Sequence, residues 1–332
     1  MNLRPALYAL ARVHGLDRAA TARLFALAQL EAEPPQLQRG LWRAVAVLGA
    51  ALAGFGVILW LAANWDALGR LGRFALLQGF VLAMALGAWL RAAARPALGL
   101  LALLGVGGLF AAFGQTYQTG ADPWQLFGLW ALLGLPLCLG ARSDVLWMPW
   151  TLVVAAAISL WTHAHVGHRW QVSPQDWLAY LIAWTAFGLL IASLSRAGAR
   201  WTGAGPWSRR SAVTLACAMV SFTAIGALFH RPIAAHYGLA LLLFVLAAAL
   251  LAQRRWFDVY GLSAVLLCID TLLVAGLVRA LFDHRGGDLV GALLLTGLVA
   301  AGLLAASVHW VLRLAARSAG TGAPVADPRG QA

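Results

Sequence analysis

PALGLLALLGVGGLFAAFGQTYQTGADPW, residues 96–124, joins two kinds of sequence. Residues 97–116 hold no charged side chain and have the length a helix needs to cross a bilayer, about 20 residues. The sequence then turns polar: two glutamines, a tyrosine and two threonines stand where the apolar helix leaves the membrane. The rest of the chain repeats this pattern. It is 62% hydrophobic and 11% charged over 332 residues, whereas a soluble domain is about half apolar and about a quarter charged. Lipid is therefore the solvent for most of it, and the expected fold is all-α, a polytopic integral membrane helix bundle.

Ten candidate spans follow: 44–63, 74–90, 97–116, 125–141, 145–162, 177–195, 211–229, 236–252, 259–278 and 289–312. The weakest are 125–141, which contains Pro136, and 236–252. The chain has no lysine, so its net charge of +12 comes entirely from arginine. With the N-terminus inside, 18 of the 24 arginines fall on the inner segments. Basic residues are retained on the cytoplasmic side, so the expected topology is N-in and C-in, in a bacterial inner membrane. Many of the sixteen tryptophans, among them Trp42, Trp60, Trp147 and Trp256, fall near span ends, where indole rings anchor at the headgroups.

Three regions are expected: a cytosolic helical lead at 1–43, the transmembrane bundle at 44–312 and a disordered cytosolic tail at 313–332. No secretory leader is legible, so the first span stays as an anchor. Within the lead, Gly15 ends a first helix and Asp17 caps a second. Leu16, Ala20, Leu24 and Leu27 give that second helix one apolar face. Residues 1–33 suit packing on the protein's own inner face, or docking of a cytosolic or membrane partner. Two short helices are too little for nucleic acid. Small residues at four-residue spacing, Gly79–Ala83–Gly87 and Gly297–Ala301–Ala305, allow close helix contact in lipid. The three cysteines, Cys138, Cys217 and Cys268, lie in apolar runs as packing residues. ARSDVLWM (141–148) and RRWFDVYG (254–261) share an Asp-Val pair between spans on the inner side.

The polar candidates gather at one face. LAANWD (61–66) ends the first span and GQTYQTGADPW (114–124) the third, both outside. Asn64, Trp65, Asp66, Gln115, Tyr117, Gln118 and Asp122 can therefore form one outer rim. Amide and phenol groups suit an uncharged polar ligand, a headgroup or a partner. They equally suit the capping of helix-end carbonyls. Gly105, Gly107, Gly108 and Gly114 in the helix leading in allow close packing or local unwinding.

The ordered pair GVILWLAANWD (56–66) and GLFAAFGQTYQTGADPWQLFGLWALLGLPL (108–137) resembles a bacterial membrane-protein family, domain of unknown function 2157. The likeness covers roughly residues 1–150: a helical lead, a span ending Ala-Asn-Trp-Asp, and Gly-Gln-x-Tyr-Gln before a Trp-containing span. It implies a polytopic inner-membrane protein and no particular activity.

Asp270 is the one acid deep in a span, about 17 Å from the inner end at helical rise. A charged carboxylate there costs at least about 2.5–3.5 kcal/mol unless it faces the bundle or a water path. It reads either as a hydrogen-bonded link between helices or as a proton- or cation-coupling residue. His163, His165 and His168 share one outer loop and are weak metal candidates, since their spacing sets no geometry. Walker, Rossmann, GxSxG and HExxH motifs are missing, and no cofactor is implied. The leading expectation is a non-enzymatic sensor or scaffold with a polar outer-face site. The alternatives are a small-solute transporter coupled through Asp270 and an enzyme on lipid-linked substrates. Reporter fusions at the two termini should both report the arginine-rich compartment; opposite compartments would refute an even number of spans.

Overall fold

The computed structural model describes residues 3–28, 35–64, 69–117, 120–167, 172–253, 255–282 and 289–319. All regular structure among them is helical: α1 (Leu3–Val13), α2 (Arg18–Leu27), α3 (Pro35–Ala63), α4 (Gly69–Leu90), α5 (Arg95–Tyr117), α6 (Pro123–Ala141), α7 (Asp144–His165), α8 (Trp177–Ser193), a four-residue α9 (Ala199–Thr202), α10 (Pro206–Leu228), α11 (Ala235–Ala252), α12 (Val259–Phe282) and α13 (Leu289–Ala319). Ten of the helical segments are long and apolar enough to cross a membrane. The two spans judged weakest are both present, as α6 and α11, and Pro136 sits inside α6 without ending it. Helix boundaries move at both ends of the bundle. The first spanning helix begins at Pro35, within the lead drawn at 1–43, and α13 continues through 313–319, which the sequence assigns to the tail.

Contacts divide the chain into two units, residues 1–52 and 53–332. In the first, α1 and α2 form the expected pair. Gly15 takes a left-handed φ of 58° between them, the Asp17 carboxylate accepts from the Ala20 amide at 2.7 Å, and Tyr8 packs on Phe25 with ring centroids 4.8 Å apart.

In the second unit, α10 is the hub, packed against α7, α8, α11 and α12. Its start is built in trans. The amides of Gly205, Trp207 and Ser208 donate to the Asp144 carboxylate at 3.0, 2.7 and 3.0 Å. These N–H groups have no partner inside α10, so a carboxylate from another helix supplies the acceptors. Ser143 caps α7 itself, and Trp147 fastens the same corner by donating Nε1–H to the Thr202 carbonyl at 2.9 Å. Trp147 is 2% exposed, so its expected place as an interface anchor is corrected: the ring is a bolt inside the protein. Asp258, the acid of the second Asp-Val pair, caps α12 through the Gly261 amide at 3.0 Å and pairs with Arg209 of α10 at 3.1 Å. Both Asp-Val segments thus brace the start of α10.

The glycines of α5 serve close packing, and the helix is continuous from Arg95 to Tyr117. A Cβ on Gly107 would land in the Trp130 indole, and one on Gly105 would lie 2.8 Å from Val81 and 2.9 Å from the Phe80 ring. Trp130 in turn donates Nε1–H to the Leu103 carbonyl at 2.8 Å, one helical turn before Gly107. The small-residue stripes behave differently. A Cβ at Gly87 meets Leu98 at 3.0 Å, while Gly79 and Gly297 have no described atom within 4 Å.

Two substitutions test this framework by thermal unfolding in detergent. Asp144→Ala should cost about 1–2 kcal/mol, the scale of a lost N-cap, and Gly107→Ala about 1–3 kcal/mol by overpacking. Gly79→Ala, with open space around it, should leave the transition unchanged.

Candidate functional site

Of the expected outer rim, the structure describes Asn64, Gln115, Tyr117 and Asp122. Asn64 Nδ2 donates to the Trp60 carbonyl at 2.9 Å, ending α3 on itself. Thr116 likewise returns its hydroxyl to Ala112 at 2.7 Å. Gln115 is exposed. Tyr117 packs in an aromatic group with Phe113 and Phe74, at 4.9 and 5.8 Å between centroids. Asp122 stands at the N-cap position of α6 without a side-chain cap bond. Trp65, Asp66 and Gln118 lie outside the described residues.

The histidines diverge. The His165 ring stacks on Trp161 at 4.1 Å, its Nδ1 lies 2.8 Å from the Trp161 carbonyl oxygen, and the Trp124 ring centroid is 6.4 Å away. His163 turns instead to a cavity described below. His168 lies outside the described residues. Among those residues no group of three His, Cys, Asp or Glu side chains could hold a metal ion.

Asp270 is 8% exposed. Its Oδ1 accepts from the Ser307 hydroxyl of α13 at 3.1 Å, a partner on another helix. Its Oδ2 is buried and has no hydrogen-bond partner among the described residues.

A further concavity is not singled out by the sequence. A cavity of 640 Å³ lies between α7, α8 and α10, within the range of about 300–1,000 Å³ usual for small-molecule sites. Its two ends differ in chemistry. Leu152, Phe187 and Leu215 line the end near mid-helix. Ser159, Thr162, His163, Tyr180 and Thr223 line the part towards the ends of α7 and α10 and the start of α8. Along α7 the lining runs from Leu152 to Val166, about 21 Å at helical rise. One edge lies at the protein surface, since Leu152 is 46% and Phe222 58% exposed.

Each polar wall is held in place. Trp184 Nε1 donates to Thr223 Oγ1 at 3.1 Å, joining α8 to α10. The Thr162 hydroxyl donates to the Ile158 carbonyl at 2.9 Å. The Tyr180 hydroxyl accepts from the Ser173 amide at 3.3 Å, and its ring packs 5.3 Å from His236 of α11. His236 is 1% exposed, with neither ring nitrogen hydrogen-bonded to a described residue. A sequence signal for the α7 wall existed. Ser159, Thr162 and His163 recur at i, i+3 and i+4, so they share one helix face. The contributions of Tyr180 and Thr223 come from other spans and carry no such signal.

No curated protein and no solved structure matches the chain. The segment that carries the Asn-Trp-Asp and Gly-Gln-x-Tyr-Gln motifs does match a family model: residues 9–147 are similar to the family described as predicted membrane protein (DUF2157).

Proposed function

We propose that this protein is a non-enzymatic sensor or scaffold of a bacterial inner membrane, and that the α7–α8–α10 cavity holds its ligand, a neutral amphiphile. One observation carries the reading: the cavity lining is wholly apolar near mid-helix, and towards the helix termini it takes in hydroxyls and an imidazole beside Val166, Val172 and Phe222. A molecule with a tail and an uncharged polar head satisfies both ends. A charged head would find no carboxylate or arginine in the lining among the described residues. The surface-exposed edge at Leu152 and Phe222 allows entry from the lipid phase.

A second reading, small-solute transport coupled through Asp270, rests on the buried Oδ2 that lacks a partner among the described residues. It is weighed against the Ser307 bond, which makes the same residue a link between α12 and α13.

Filling the cavity tests the first reading. Ala156→Phe and Ala218→Phe should lower the amount of amphiphile that copurifies with the protein, read by mass spectrometry of the extracted lipid. The surface substitution Leu298→Phe on α13 should not. An unchanged extract from both cavity variants, with unchanged unfolding, would refute the assignment. Asp270→Asn separates the two readings, because an asparagine still accepts from Ser307. A link predicts a stability change under about 1 kcal/mol and no change in ion movement. Transport predicts that wild-type proteoliposomes dissipate an imposed pH gradient and the variant ones do not.

A further inference from the structure

The opposite end of α10 carries a second arrangement, independent of the cavity. Arg209 and Arg210 are adjacent in sequence, but their surroundings differ. Arg209 is neutralised by Asp258 at 3.1 Å. The Arg210 guanidinium lies between two aromatic rings, 5.1 Å from the Trp207 centroid and 5.3 Å from that of Tyr260. It forms no ion pair or side-chain hydrogen bond with a described residue, and its Nε is buried without a partner.

The two carboxylates of this corner are already engaged. Asp144 accepts from three amides of the α10 start, and Asp258 is shared between Arg209 and the Gly261 amide. Arg210 therefore keeps a full positive charge with no internal counter-ion from either. It stands one turn into α10, about 6 Å along the axis from Pro206. Trp207 and Tyr260 are 62% and 39% exposed, as rings at the headgroup level are. The Tyr260 hydroxyl is itself fixed, 2.6 Å from Thr214 Oγ1, so the stack is braced from below. A guanidinium confined by two rings presents its donors as a planar fork, which matches the oxygens of a phosphate.

We propose that Arg210, held between Trp207 and Tyr260, binds the phosphate of an anionic glycerophospholipid in the leaflet at this face. The lipid supplies the missing counter-charge, and its acyl chains lie against the exposed apolar surface of the neighbouring spans. Arg255, three residues before Asp258 in sequence and 5.6 Å from the Trp256 ring centroid, adds to the positive potential that draws such lipids.

Binding is measured on the full chain in dodecyl maltoside by native mass spectrometry, with dioleoylphosphatidylglycerol, dioleoylphosphatidylcholine and inorganic phosphate as probes. The wild type should prefer the anionic lipid, and inorganic phosphate at equal concentration should not displace it. Arg210→Gln should weaken phosphatidylglycerol binding at least about tenfold, the worth of one charge-assisted contact. Arg210→Lys, which keeps the charge and loses the fork, should weaken it by a smaller factor and remains informative if the glutamine variant does not fold. Arg200→Gln, the loss of an exposed arginine from the same segment, should change nothing. Wild-type affinity in both Arg210 variants, equal binding of the zwitterionic lipid, or displacement by inorganic phosphate would each overturn the assignment.

Discussion

Three amides at the start of α10 need acceptors, and the Asp144 carboxylate of α7 provides them. These N–H groups have no acceptor inside α10, and a carboxylate there also meets the positive end of the helix dipole. Much of the second unit depends on this bond. It fixes where α10 begins, and α10 is the helix against which α7, α8, α11 and α12 are arranged. Trp147 and Ser143 hold the same corner from either side of Asp144. Asp258 then brings the α12 start to α10 through Arg209.

Packing in the first part of that unit follows a different rule. Among helices surrounded by lipid, close approach has to come from van der Waals fit and hydrogen bonds. Gly105 and Gly107 remove side chains from α5 where Phe80, Val81 and Trp130 arrive. Trp130 and Trp150 then spend their indole N–H groups on carbonyls of neighbouring helices, at 2.8 Å each. Tryptophan in this chain is thus of two kinds. Rings such as Trp89 and Trp201 are largely exposed, while Trp130, Trp147, Trp150 and Trp184 are structural bolts whose N–H finds an acceptor.

The two functional proposals occupy opposite ends of one helix. Thr223, near the end of α10, lines the cavity, and Arg210, near its start, lies between aromatic rings. A ligand at either end touches the element that α7, α8, α11 and α12 pack against. This gives a sensor reading a physical route, since a shift of α10 is felt by four neighbouring helices.

The sequence alone determined that this chain is all-helical with ten segments long and apolar enough to cross a membrane, because length and uninterrupted apolarity are local properties that any span must satisfy. The Asp17 cap and the Gly15 turn were legible for the same reason: a cap is read within a few residues. The family likeness was legible from Asn-Trp-Asp and Gly-Gln-x-Tyr-Gln. Tertiary structure decided what those local signals leave open. Asn64 offers the same amide to a ligand or to Trp60, and only the fold shows it returned to Trp60. Trp147 stands near a span end like an anchor, and only packing buries it. The cavity was half visible, as Ser159, Thr162 and His163 on one face of α7, but its other walls lie on spans distant in sequence. Asp144 and Arg210 show the limit most plainly. Each is one charged residue beside a span, and the role of each is set by groups on other helices that no periodicity brings together.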